Sequence, residues 1–127
     1  MKLHSPIRDV FDYETLAQLR SCLERLWSPE TSVDGCFDPR RPAKGQCVPT
    51  ALLVQDLFGG EICRVVVGSE SHYFNLVSGQ EVDLTRDQFP LWMPSERATR
   101  SRKDLLENES SARRYLLLRA AFASSTY

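Results

Sequence analysis

Residues 47–58 read Cys-Val-Pro-Thr-Ala-Leu-Leu-Val-Gln-Asp-Leu-Phe, and no other stretch limits the fold so strongly. Wound as a helix, Val48, Ala51, Leu52, Leu53, Val54, Leu57 and Phe58 cover most of the circumference. A surface helix carries one apolar stripe, whereas a helix apolar nearly all round must be wrapped by the rest of the fold. Its ends are marked. Pro49 fits the first turn, where a missing N–H costs nothing, and Gly59-Gly60 supplies the stop. The expected element starts near Gly45-Gln46-Cys47 and ends at Phe58, which puts Cys47 at the N-terminus of the central helix.

The flanking sequence supplies the wrapping. A first helix is expected from about Asp12 to Trp27, with Asp12 as N-cap, Glu14 in the first turn and a stripe of Leu16, Leu19, Leu23 and Leu26. Cys22 beside that stripe reads as core filler. From Ser28 to Lys44 the prolines at 29, 39 and 42 and Gly35 break any period. Such long connections often lie over a site; Cys36, next to Phe37, reads as a loop anchor. Glu61 to Val67, Ser71 to Val77 and Gln80 to Thr85 read as strands, with Ser78-Gly79 as a hairpin turn. Asp87 to Pro94 reads as irregular, with Phe89, Leu91, Trp92 and Met93 packing on the core. Arg97, Arg100, Arg102 and Lys103 read as a solvated loop. A last helix is expected from about Ser110 to Ala123, with Tyr115, Leu116, Leu118 and Phe122 apolar. The pattern is α+β: one domain over residues 1–127, a central buried helix packed on a small antiparallel sheet, and outer helices from both ends.

Composition excludes several classes. At 127 residues, 42% hydrophobic and 26% charged, the chain is neither disordered nor a coiled coil. A net charge of −1 argues against non-specific nucleic-acid binding, which needs unbalanced cations. No apolar run approaches the ~20 residues of a membrane helix, and Met1-Lys2-Leu3-His4-Ser5-Pro6 lacks the apolar core of a signal peptide. The expectation is a soluble cytoplasmic protein. The four cysteines, at 22, 36, 47 and 63, form no C-x-x-C and read as free thiols. Their irregular spacing argues against a zinc site from Cys36, Cys47, Cys63 and His72.

One cysteine stands out chemically. The thiolate is the nucleophilic form, and a helix N-terminus favours it. Cys47 is the cysteine expected there; Gly45 permits close backbone approach, and the unpaired N–H groups of the first turn can hold an oxyanion. Its base is His72, since the other histidine, His4, lies near the terminus. With Ser78-Gly79 as the turn, Val77 faces Gln80 and Phe74 faces Asp83. Phe74 and His72 share a strand face, so Asp83 lies one diagonal step from His72, at roughly 7–8 Å between backbones. A carboxylate in that position orients an imidazole for a nucleophile.

The residues that carry this pattern also carry a resemblance. Gly45-Gln46-Cys47, the run from Ala51 to Ile62, Ser71-His72-Tyr73-Phe74-Asn75, and Glu81-Val82-Asp83-Leu84-Thr85 with Gln88-Phe89 resemble the YunG-like family of small bacterial proteins. Trp27-Ser28 and Arg114-Tyr115 fit the same pattern. The resemblance implies the site residues Cys47, His72 and Asp83, which lie inside its densest motifs. Their order, a helix cysteine followed by histidine and aspartate on successive strands, also resembles the papain and transglutaminase-like superfamily at fold level. Papain-type enzymes place an oxyanion glutamine several residues before the cysteine. Here Arg41 and Pro42 occupy that stretch and Gln46 is adjacent, a candidate substrate-binding residue.

The expected function is a thiol hydrolase or acyl transferase acting on a peptide, amide or thioester, with Cys47 as nucleophile, His72 as base and Asp83 orienting it. The alternative is a non-catalytic binding or regulatory module on the same fold. No metal or organic cofactor, nucleic acid or membrane partner is implied. Peptidase, amidase, deamidase and transglutaminase share this nucleophile and base, so the residues alone do not separate them.

Overall fold

The computed structural model describes residues 13–125. The helices are α1 (Tyr13–Leu26), α2 (Cys47–Phe58), α3 (Arg102–Leu106) and α4 (Glu109–Ala123). The strands β1 (Glu61–Val67), β2 (Glu70–Val77), β3 (Gln80–Val82) and β4 (Ala98–Arg100) form an antiparallel sheet in the order β3-β2-β1-β4. The architecture is α+β, as the pattern predicts. Asp12, the expected N-cap of the first helix, and His4 lie outside the described residues.

Helix α2 is central. It packs on β2 and on α4, and Pro49, Thr50, Ala51, Leu52, Leu53 and Val54 are buried. Each fully buried leucine or valine here contributes about 1.5–3 kcal/mol relative to exposure. Two apolar clusters meet on this helix. Leu53 and Val54 pack with Leu19, Leu23 and Trp27 on one side, and Ala51 and Leu52 with Ile62, Leu105 and Tyr115 on the other. A third cluster, Cys63, Val65, Val67 and Phe74, is covered by Phe89 and Trp92.

The β2–β3 hairpin has the expected register, with Val77 opposite Gln80 and Asn75 opposite Val82. Ser78 (φ 50°) and Gly79 (φ 83°) both adopt positive φ, as the type I′ turn matching strand twist requires. The third strand is shorter than expected and stops at Val82 instead of Thr85. Asp83 Oδ1 accepts the Thr85 N–H (3.3 Å), a local turn that competes with the ladder, and a 3₁₀ turn at Arg86–Gln88 follows.

Two further expectations are corrected. The basic run is no solvated loop: Ala98–Arg100 pairs with β1, and Arg102 and Lys103 open α3, where Ser101 Oγ accepts the Asp104 N–H at 3.0 Å. Carboxylates draw these cations in, with Arg97 2.6 Å from Glu81 and Arg102 2.7 Å from Asp56. In the irregular segment Phe89 and Trp92 do pack on the core, but Leu91 and Met93 are 67% and 70% exposed. In α4 the buried residues are Ser111, Arg114, Tyr115 and Leu118, one helical face, which turns Leu116 outward.

Candidate active site

Cys47 opens α2, with Gln46 as the preceding cap residue. By helix geometry the first-turn N–H groups have no intrahelical acceptor, so the Cys47 and Val48 amides point out of the helix end. The approach to this turn is fixed by Gly45. Its φ of +77° favours glycine, and a Cβ there would stand 2.5 Å from Cys36 Sγ. Gly45 also bridges to the loop before it, because the Val33 N–H donates to its carbonyl at 2.9 Å.

His72 is fully buried on β2. Its Nε2 lies 2.8 Å from Asp83 Oδ2, and the Asp83 side chain is itself only 4% exposed. The pairing follows from the hairpin register: His72 and Asp83 share a face, and β3 ends where Asp83 turns toward the ring. The phenyl of Phe89 and the indole of Trp92 stand edge-on to the imidazole at 4.9 and 5.6 Å between centroids. Arg86 closes the far side. Its Nε donates to Asp83 Oδ2 (3.2 Å) while its guanidinium lies 4.0 Å over the Trp92 ring.

The other ring nitrogen, Nδ1, faces the cysteine helix. Gln88 Nε2 lies 3.2 Å from it, and Gln88 Oε1 accepts the Gly45 N–H at 3.3 Å. The Cys47 side chain lies close enough to the imidazole to interact with it electrostatically. Burial alone lowers the His72 pKa, but the Asp83 hydrogen bond, the neighbouring Cys47 and the charges of both outweigh it and push it up to about 9.

The half-buried Cys47 opens onto a cleft of about 460 Å³, lined also by Cys36, Gly45, Tyr73, Gln88 and Arg114. Cys36 thus faces the cleft as well as anchoring its loop. Cys22 and Cys63 are buried. Among the described residues no three His, Cys, Asp or Glu side chains gather as a cation site, and no helix is long and apolar enough to cross a membrane.

The structure pairs His72 with Asp83 at hydrogen-bond distance, sets Cys47 near the ring, and corrects the reading of Gln46. The Gln46 side chain is wholly buried and turned away from the cleft. Its Oε1 accepts from the Thr31 hydroxyl (2.7 Å) and its Nε2 donates to the Ser28 carbonyl (3.1 Å). Both ends of the amide are used to pin the 28–36 loop to the start of α2. Gln88 and Arg114 are the residues that sequence reasoning missed. Each sat inside a family motif without a role, and neither has a local signal separating it from a solvated polar side chain.

The fold is an α+β protein in which a buried histidine–aspartate pair lies near the thiol at the start of the central helix. The chain belongs to the YunG family: the family model described as "YunG protein" matches residues 15–127. It is 30% identical over 108 residues to a protein of Bacillus subtilis (strain 168) described as "Uncharacterized protein YunG", covering 85% of this chain and 91% of that one. No solved structure matches the chain.

Proposed function

We propose that this protein is a cysteine-dependent hydrolase or acyl transferase with a cysteine-peptidase-like core, acting on an amide or thioester. The observation that carries the reading is the 2.8 Å His72–Asp83 hydrogen bond, which commits Nε2 and leaves Nδ1, now in contact with Gln88 Nε2, as the nitrogen that can exchange a proton with Cys47. Cys47 Sγ attacks the substrate carbonyl and forms a C–S bond. The carbonyl oxygen takes up negative charge, and the proton of the thiol resides on His72 Nδ1. As the intermediate collapses, the bond to the leaving group breaks and His72 returns that proton to the departing amine or thiol. Water or a second nucleophile then attacks the thioester, gives its proton to His72 and releases the acyl product, and the proton returns to sulfur. Asp83 keeps its hydrogen bond to Nε2 throughout and acts as a positioning residue.

The oxyanion donors are the Cys47 backbone N–H at the helix start and Gln88 Nε2. With neutral His72, the Gln88 amide donates to Nδ1. Once Nδ1 is protonated it no longer accepts, and Gln88 Nε2 is free to donate into the cleft. Gln88 thereby takes the role sought near Gln46.

The test is acylation by an activated thioester of a small carboxylic acid. The expected result is an acyl adduct on the Cys47 peptide by mass spectrometry, absent in Cys47→Ala and formed on the order of 10²-fold more slowly in His72→Ala. Acylation that persists in Cys47→Ala, or none in the folded wild type, overturns the reading in favour of a binding module.

A further inference from the structure

Arg114 is a buried charge that the acyl-transfer steps leave unused. It stands on the inward face of α4, is 5% exposed and lines the cleft together with Cys47. Its Nε donates to Ser110 Oγ (3.2 Å) and its Nη2 to Ser111 Oγ (3.2 Å), both neutral acceptors. No carboxylate of the described residues forms an ion pair with it, and Nη1 makes no hydrogen bond among them. No fully buried side-chain nitrogen or oxygen lacks a partner, so Nη1 keeps some exposure on a residue that lines the cleft. A guanidinium stays charged in proteins. Burying it without a counter-ion is costly, and a ligand anion offsets that cost. Burial pushes the Arg114 pKa down and Arg113 adds to this, while Cys47, Asp34 and Cys36 pull it up.

The rest of the lining points the same way. Lys44, exposed on the approach to α2, adds a second cation; the carboxylate in the lining is Glu70, exposed at the start of β2. Ser110 and Ser111 take two of the five guanidinium N–H groups, and against Glu70 the two cations leave the lining with one unit of positive charge. That balance suits a singly charged carboxylate better than a phosphate near −2. The cleft volume of about 460 Å³ fits a small molecule or the end of a peptide.

We propose that Arg114 and Lys44 form a carboxylate-binding subsite beside Cys47, so that the substrate is a small acyl compound carrying a carboxylate near the carbonyl under attack. This rests on the reading of Cys47 as nucleophile.

Iodoacetate and iodoacetamide test it, because they are nearly the same size and react alike: sulfur displaces iodide, and only one reagent carries the carboxylate. The readout is the ratio of their rate constants at Cys47, by peptide mass, against the same ratio for glutathione. The expected ratio exceeds that of glutathione roughly tenfold, one order in an equilibrium or rate preference, and shrinks with added salt. Arg114→Gln brings it back to within about twofold of the small thiol, which separates Arg114 from the attraction of the His72 cation. Lys44→Gln, at an exposed position, lowers it about two- to threefold and serves if the Arg114 variant does not fold. Succinate protects wild-type Cys47 from iodoacetate better than inorganic phosphate at equal ionic strength. Fast iodoacetamide labelling with a glutathione-like ratio, a ratio unchanged in both variants, or protection by phosphate alone overturns the subsite and leaves the nucleophile standing. Slow labelling by both reagents overturns the nucleophile, and the subsite with it.

Discussion

Asp83→Asn removes the carboxylate that holds the His72 proton, and the consequence is a stability loss that depends on pH in a defined direction. In the folded chain His72 titrates at about 9, against 6.5 for the unperturbed side chain. A folded pKa above the unfolded one stabilises the protein fully below about pH 6.5, and that stabilisation is lost as pH rises through about 9. The difference of about 2.5 pH units corresponds to about 3 kcal/mol. Burial lowers the pKa, and the Asp83 hydrogen bond leads the causes that raise it, with Cys47 adding to them, so losing the carboxylate forfeits roughly 1–3 kcal/mol of this. Arg86 also loses its contact with Asp83, but its side chain is 39% exposed and the loss, under about 1 kcal/mol, does not change over this range. Urea unfolding of both proteins at pH 6 and pH 10 measures the gap directly, and comparing the gaps removes thiol titrations common to both. The gap should narrow by roughly 1–3 kcal/mol between the two pH values. The His72 ring resonances of the variant should titrate well below 9. A gap independent of pH, or one that widens as pH rises, refutes the reasoning.

Two other substitutions probe how the site is held. Gly45→Ala places a side chain at φ +77° with its Cβ 2.5 Å from Cys36 Sγ, so unfolding should become easier by about 1–3 kcal/mol. Adding Cys36→Ala should recover the steric part of that loss in thermal unfolding, and no recovery means the backbone term dominates. Tyr115→Phe removes the hydroxyl that donates to Asp56 and accepts from Arg102 at 2.7 Å, a junction of α2, α3 and α4. A lower urea midpoint, equivalent to about 1–2 kcal/mol, is expected, and an unchanged midpoint would show the hydroxyl to be solvated at no cost.

The legible parts of this molecule were those set by local chemistry. The apolar circumference of residues 47–58 placed the central helix, and Ser78-Gly79 set a register that brought Asp83 to the face of His72. What was not legible depends on contacts between distant segments. Gln46 looked available because it precedes Cys47, yet Thr31 and Ser28 claim its amide. Gln88 acquires its place only when the 3₁₀ turn after β3 meets Gly45. The basic run read as loop because its partners, Glu81 and Asp56, lie on other elements. Leu91 and Met93 were assigned to the core by residue type alone, in a segment with no period to say which side chains face inward.

The central claim is that Cys47 and His72 form a working nucleophile pair, and peptide-resolved alkylation of the folded protein by iodoacetamide tests it most directly. Between pH 6 and 7 Cys47 should react at least tenfold faster than glutathione, because His72 stands beside it as a general base and the helix start faces its sulfur. His72→Ala should remove most of that advantage, while the buried Cys22 and Cys63 should label only on unfolding. Labelling of Cys47 no faster than an ordinary thiol, and unchanged by His72→Ala, would contradict the account.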